Sequence, residues 1–123
     1  MDVEEIVPHL WHWSAPHPDW KPTNRGKDGQ GWDQMVSSYA LVGDVAFVLI
    51  DPQVPTEEAD AARLWDALDW DVDAHGPPAI VISVDYHMRS AENIAGRYDG
   101  SSIWAPADSR KSKRDRTRSY ATG

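Results

Sequence analysis

Residues 6–13, Ile-Val-Pro-His-Leu-Trp-His-Trp, are mostly apolar, and the two-residue repeat of a strand places His9, Trp11 and Trp13 on one side and Leu10 and His12 on the other. This predicts a strand with an early proline, Pro8. The apolar run then stops. Residues 14–34 carry three Pro and three Gly among polar residues and predict a loop. A loop of about twenty residues is uncommon in a compact domain and is often functional. Strand-forming residues resume over 36–42, Val-Ser-Ser-Tyr-Ala-Leu-Val, pause at Gly43-Asp44, and give way to an apolar run over 45–50. Two strands around a tight turn predict a β-hairpin. The unbroken run predicts burial on both faces, and Asp51-Pro52 ends it because proline cannot donate to a ladder.

The period then lengthens. Ala61, Leu64, Trp65 and Leu68 recur at helical spacing and predict a helix over residues 56–69. Thr56 is placed to cap it, and Glu57 and Glu58 suit the positive end of its dipole. Gly76-Pro77-Pro78 breaks the chain before a β-branched strand over 79–84. Ser90 caps a short helix over 90–98, with Ala91, Ile94, Ala95 and Tyr98 on one face. Residues 103–105 form a last strand closed by Pro106. The order β, long loop, β, β, α, β, α, β predicts an α/β fold, a mixed β-sheet with two helices packed on it. After Pro106 the apolar pattern ends. The expected organisation is one domain over residues 1–106 and a basic disordered tail over 107–123.

A length of 123 residues allows one domain at most. The net charge of −8 conceals a split: residues 1–107 carry 6 Lys/Arg against 18 Asp/Glu, and residues 108–123 carry 6 against 2. An acidic body repels phosphates, which argues against nucleic acid as a partner. The chain has no Cys, so thiolate chemistry and Cys-ligated zinc are excluded. The apolar run over 45–50 is too short to cross a membrane, and the acidic N-terminus has no apolar signal region. The expectation is a cytoplasmic protein without membrane attachment.

Chemistry is expected at residues 82–90, Ile-Ser-Val-Asp-Tyr-His-Met-Arg-Ser, where a buried strand meets a helix N-terminus. Asp85, His87 and Arg89 have i, i+2 spacing and share one face if the segment is extended. Asp and His suit metal ions. Arg89 and Ser90, beside a helix N-terminus, suit an anion. Asp51 also ends a strand and is expected at the same rim. His9 and His12 should point to opposite faces and not chelate together.

With these residues in view, the chain resembles the N-terminal half of metallo-β-lactamase-fold hydrolases. Ser37-Ser38-Tyr39-Ala40-Leu41-Val42 is similar to the family's hairpin strand. Val48-Leu49-Ile50-Asp51-Pro52 is similar to the strand that ends in Asp. Residues 79–91 are similar to the strand and metal loop, and Ile103-Trp104-Ala105 to the next strand. The resemblance covers about residues 6–106. It implies an αββα-type half-domain, zinc, and hydrolysis of a small ester, thioester or lactam-like bond, with His87, Asp85 and Asp51 as the metal-binding candidates. The family's loop reads His-x-His-x-Asp-His. If His87 is its second His, then Asp85, Arg89 and Ser90 replace the first His, the Asp and the last His. If Ser90 instead stands on the Asp, His87 falls out of register. Either alignment leaves at most one His, and Arg89 would repel a second metal. The expectation is therefore a divergent, truncated relative that retains no zinc and little or no activity, its small-molecule substrate left open. The alternative is a non-catalytic interaction or anion-binding module that forms a homo-oligomer through its exposed sheet.

Overall fold

The first predicted strand is in fact a hairpin. Asp2–Val7 forms β1 and Leu10–Pro16 forms β2, paired antiparallel from Asp2↔Ser14 to Val7↔Leu10. Pro8 and His9 make the turn, and His9 takes the positive φ of 73° that the second central position of a type II turn requires. His9 therefore belongs to neither face, which corrects its expected place beside Trp11 and Trp13. The computed structural model describes residues 1–25, 31–44, 46–107 and 117–120, apart from the side chains of Asn24, Arg25, Asp85, Thr117 and Ser119.

β3 (Met35–Val42) and β4 (Phe47–Ile50) form the expected hairpin. α1 spans Glu58–His75, starting later and ending later than the apolar spacing predicts. Glu57, not Thr56, caps it, its carboxylate accepting from the Ala59 and Asp60 amides. Gly76, at φ 90°, ends it in a conformation that costs other residues more. β5 (Ala79–Val81) is shorter than expected. α2 (Ala91–Arg97) and β6 (Ser102–Pro106) follow. The strands lie in sequence order, antiparallel from β1 to β4 and parallel from β4 onward, so the fold is α/β with one mixed sheet and two helices. Both crossovers, β4–α1–β5 and β5–α2–β6, advance in the same direction. Right-handed connections then place both helices on one side.

The tail expectation needs correction at one place. Thr117–Tyr120 forms β7, parallel to β6. Arg118 lies over the Trp104 ring at 5.3 Å, and the Tyr120 hydroxyl donates to the Ile82 carbonyl at 2.9 Å. The open edge of β6 offers backbone partners that composition does not register. The rest of residues 108–123 lies outside the described residues.

The two faces of the sheet differ. Trp13, Ala40, Phe47, Leu49, Ile80, Ile82, Ile103 and Ala105 point to the helices and pack on Leu64, Leu68, Met88, Ala91, Ile94 and Tyr98. Full burial of each large aliphatic side chain stabilises the fold by about 1.5–3 kcal/mol. On the other face, cross-strand register builds parallel rows. Leu10, Leu41, Val48, Ala79 and Ser102 form one, and His12, Tyr39, Ile50, Val81 and Trp104 the next. A third, polar row begins with Ser14 and Ser37. No described element covers these rows, and Leu41 is 44% exposed. Among the described residues no helix is long and apolar enough to cross a membrane.

Candidate functional site

β4 and β5 end side by side, and the crevice beyond their C-terminal ends is where the candidate residues gather. Asp51 follows β4 at a φ of 49°, a left-handed conformation that Asp tolerates better than most residues. Its amide donates to the Val81 carbonyl at 2.9 Å, which holds its carboxylate under the end of β5. There the carboxylate accepts from the Ser83 amide at 2.7 Å, from the Ser83 hydroxyl, and from His87 Nδ1 at 2.9 Å. A carboxylate accepts, so the His87 proton stands on Nδ1. The lone pair is then on Nε2, on the far side of the ring.

Asp85, His87 and Arg89 do not share an extended face. Asp85–His87 is a 3-10 turn, with the His87 amide donating to the Val84 carbonyl at 3.0 Å. The turn folds His87 back over Ser83. Arg89 follows in the left-handed region at φ 43°. The structure thus brings Asp51, His87 and Arg89 together. Only the backbone of Asp85 is described.

Arg89 fastens two strands. Its Nη1 donates to the carbonyl oxygens of Ser37 and Asp51, both at 2.7 Å. These charge-assisted bonds offset a left-handed backbone that costs about 1–3 kcal/mol. Burial pulls the guanidinium below its usual arginine pKa, and the negative charge of Asp51 opposes that shift. Ser90 works as a staple. Its hydroxyl oxygen accepts from the Val54 amide at 2.8 Å and from Gln53 Nε2 at 3.3 Å, tying the segment after β4 to the start of α2. Ser38, buried on the helix side, donates to the Asp51 carbonyl and accepts from the Gln53 amide, each at 2.9 Å.

The long loop contributes a residue that sequence spacing did not single out. His17 enters it with its amide bonded to the Gln34 carbonyl at 2.9 Å, and its ring meets Trp32 edge-on at 5.1 Å. The Asp19 amide donates to His17 Nδ1 at 3.0 Å, so Nε2 carries the proton. Burial, more than the smaller effects of Arg89 and His87, lowers the pKa of His17 against the opposing pull of Asp19. The two imidazoles are therefore fixed in opposite tautomers: Nε2 of His87 accepts, and Nε2–H of His17 donates. His17, Trp32, Ser37, Tyr39, His87 and Arg89 all line an open cleft of about 1330 Å³. Gln53 Oε1 and Arg89 Nε, both buried at its wall, have no hydrogen-bond partner among the described residues. Each such atom costs about 1–3 kcal/mol.

The resemblance implies zinc, and the described donor set does not fit it. Catalytic zinc takes about three protein ligands. Asp51 already accepts from Ser83 and His87. His17 cannot offer an Nε2 lone pair while its Nδ1 accepts from a backbone amide. Arg89 holds a fixed positive charge at the same rim. His87 Nε2 remains, in the orientation that a metal ligand or a base adopts. Among the described residues no group of three or more His, Asp or Glu is placed to hold a metal ion.

Ser83, although within the 82–90 segment, and His17 were not expected as site residues. Their roles arise from the end of β5 meeting Asp51 and from the loop folding over the crevice. In comparisons with known proteins, no family model and no curated protein matches this chain.

Proposed function

We propose that this chain is a divergent metallo-β-lactamase-like α/β domain whose metal rim has become a metal-free cleft for small anionic molecules. The observation that carries this reading is the Arg89 guanidinium, held at the cleft by the Ser37 and Asp51 carbonyls. It is a fixed cation where the resembled family places a metal-binding loop. A carboxylate or phosphate entering the cleft meets the Arg89 guanidinium and the His17 Nε2–H donor. Water activation by zinc, the chemistry of the resembled family, is lost in this reading.

Titration with inorganic phosphate and with succinate, followed by tryptophan fluorescence and calorimetry, tests it. Saturable binding that weakens at least tenfold in Arg89→Ala is expected. Equal affinity in the variant removes the anion reading. Tight, stoichiometric zinc binding removes the metal-free part.

A second reading concerns the uncovered sheet face. Leu41, Val48, Ile50, Ala79, Val81 and Trp104 form the apolar middle of adjoining rows, the second of which continues to Glu4 of β1 at one end and Arg118 of β7 at the other. A second copy packed face to face on these six residues buries no charged side chain among them. It also leaves the polar Ser14–Ser37 row at the cleft end free. Stable dimers bury roughly 800 Å² per partner. Light scattering should show a dimer for the parent chain and a monomer for Val48→Glu. A monomeric parent at high concentration excludes this reading.

A further inference from the structure

Beside the cleft, three residues from three neighbouring strands are joined in a line. Glu4 of β1 stands directly opposite His12 of β2. Its Oε1 lies 3.1 Å from His12 Nδ1. On the far side of the ring, His12 Nε2 lies 2.9 Å from Ser37 Oγ on β3. His12 and Ser37 are diagonal neighbours, because the register pairs His12 with Tyr39 and Ser14 with Ser37. The Tyr39 ring, 5.1 Å from the imidazole, packs against it.

The direction of the protons follows from the partners. Glu4 is a carboxylate and accepts, so His12 carries its proton on Nδ1. Nε2 then holds a lone pair and accepts from the Ser37 hydroxyl. A nucleophile bonded to a base, with the base oriented by a third group, is the arrangement that activates serine. Both hydrogen bonds fall within the range such a relay requires. Ser37 is exposed, lines the cleft, and has its own carbonyl 2.7 Å from the Arg89 guanidinium. The same guanidinium lines the cleft that would hold the substrate.

We propose that Ser37, His12 and Glu4 form a metal-free acyl-transfer centre that acts on small carboxylic esters. Ser37 Oγ attacks the ester carbonyl carbon while its proton passes to His12 Nε2. The bond from that carbon to the alkoxy oxygen breaks, and the departing alkoxide takes the proton from His12. Water then attacks the acyl-Ser37 ester with His12 as base, releasing the carboxylic acid and restoring the serine. Ser37 and His12 are the catalytic residues, and Glu4 is a positioning residue that fixes the tautomer of His12. The centre borrows the cleft of the proposed function as the space for substrate but does not require anion binding there.

The test is covalent labelling of the full chain with a fluorophosphonate, read by mass spectrometry of the modified peptide. Attack by Ser37 forms an O–P bond and expels fluoride, with the serine proton going to His12. An adduct on Ser37 is expected, absent in Ser37→Ala and formed at least about 100-fold more slowly in His12→Gln. Ser14→Ala, across the sheet from Ser37, should label at the parent rate. Glu4 sits on an exposed edge strand, so Glu4→Gln should slow labelling with an unchanged melting temperature, and Glu4→Asp should recover part of the rate. No adduct on the folded parent, an adduct on a different serine, or a rate indifferent to His12 and Glu4 overturns the proposal. The phosphate and succinate titrations depend on Arg89 and report on the cleft alone, so the two ideas can fail separately.

Discussion

The molecule contains two clusters made of the same three kinds of side chain, a carboxylate, a histidine and a serine. One is Asp51, His87 and Ser83 at the ends of β4 and β5. The other is Glu4, His12 and Ser37 on the open sheet face. They differ in wiring. In the first, Ser83 bonds the carboxylate and lies 3.3 Å from the same Nδ1 that faces it, so serine and carboxylate share one side of the ring. In the second, carboxylate and serine sit on opposite nitrogens, and a proton can pass through the ring. Their carboxylates differ in burial as well. The Asp51 side chain is 11% exposed, whereas that of Glu4 is 69% exposed. The first cluster is thus built to hold the crevice together. The second leaves its carboxylate open to solvent.

This contrast can be broken most easily at Asp51. Asp51→Ala strips the acceptor from the Ser83 amide and hydroxyl and from His87, and it places a non-Asp side chain at positive φ. A loss of about 3 kcal/mol is expected in urea denaturation. If Glu4→Ala costs as much, the two clusters are not different in kind. Arg89→Ala comes next, with about 2 kcal/mol lost from two charge-assisted bonds, measured by the same method. Arg89→Lys should recover part of it.

A smaller effect concerns pH. Burial lowers the folded-state pKa of His17 below its ordinary value of 6.5. The unfolded chain therefore binds the proton more readily. The stability contributed by neutral His17 is complete above about 6.5 and is lost as pH falls through the lower folded value. His17→Gln should flatten that part of the stability curve, and an unchanged slope would show that the ring is not desolvated. The smallest effect is expected at Glu4→Gln, within about 0.5 kcal/mol of the parent because the pair is exposed. A large stability loss there would recast the second cluster as structural.

Much of the architecture was legible in the residue pattern. The strand-forming residues over 36–42 and the helical spacing of Leu64 and Leu68 marked real elements. Asp51 and His87 were rightly expected at one rim, because both follow the C-terminal ends of neighbouring buried strands. What escaped notice has common causes. Residues 6–13 read as one strand because Pro8 and His9 form a turn too short to interrupt the apolar run. Thr117–Tyr120 read as tail because an edge strand gains its stability from backbone pairing with β6, which leaves little trace in side-chain pattern. The extended reading of residues 85–89 failed at a single 3-10 turn.

The pattern of apolar residues along the chain marked the β3–β4 hairpin, both helices and most of the covered core. It could not fix which residue of one strand lies beside which residue of the next, because that depends on register and on turns closed by distant partners. Whether Ser37 meets Nε2 of His12, and Ser83 the Nδ1 side of His87, was decided only when the strands came together.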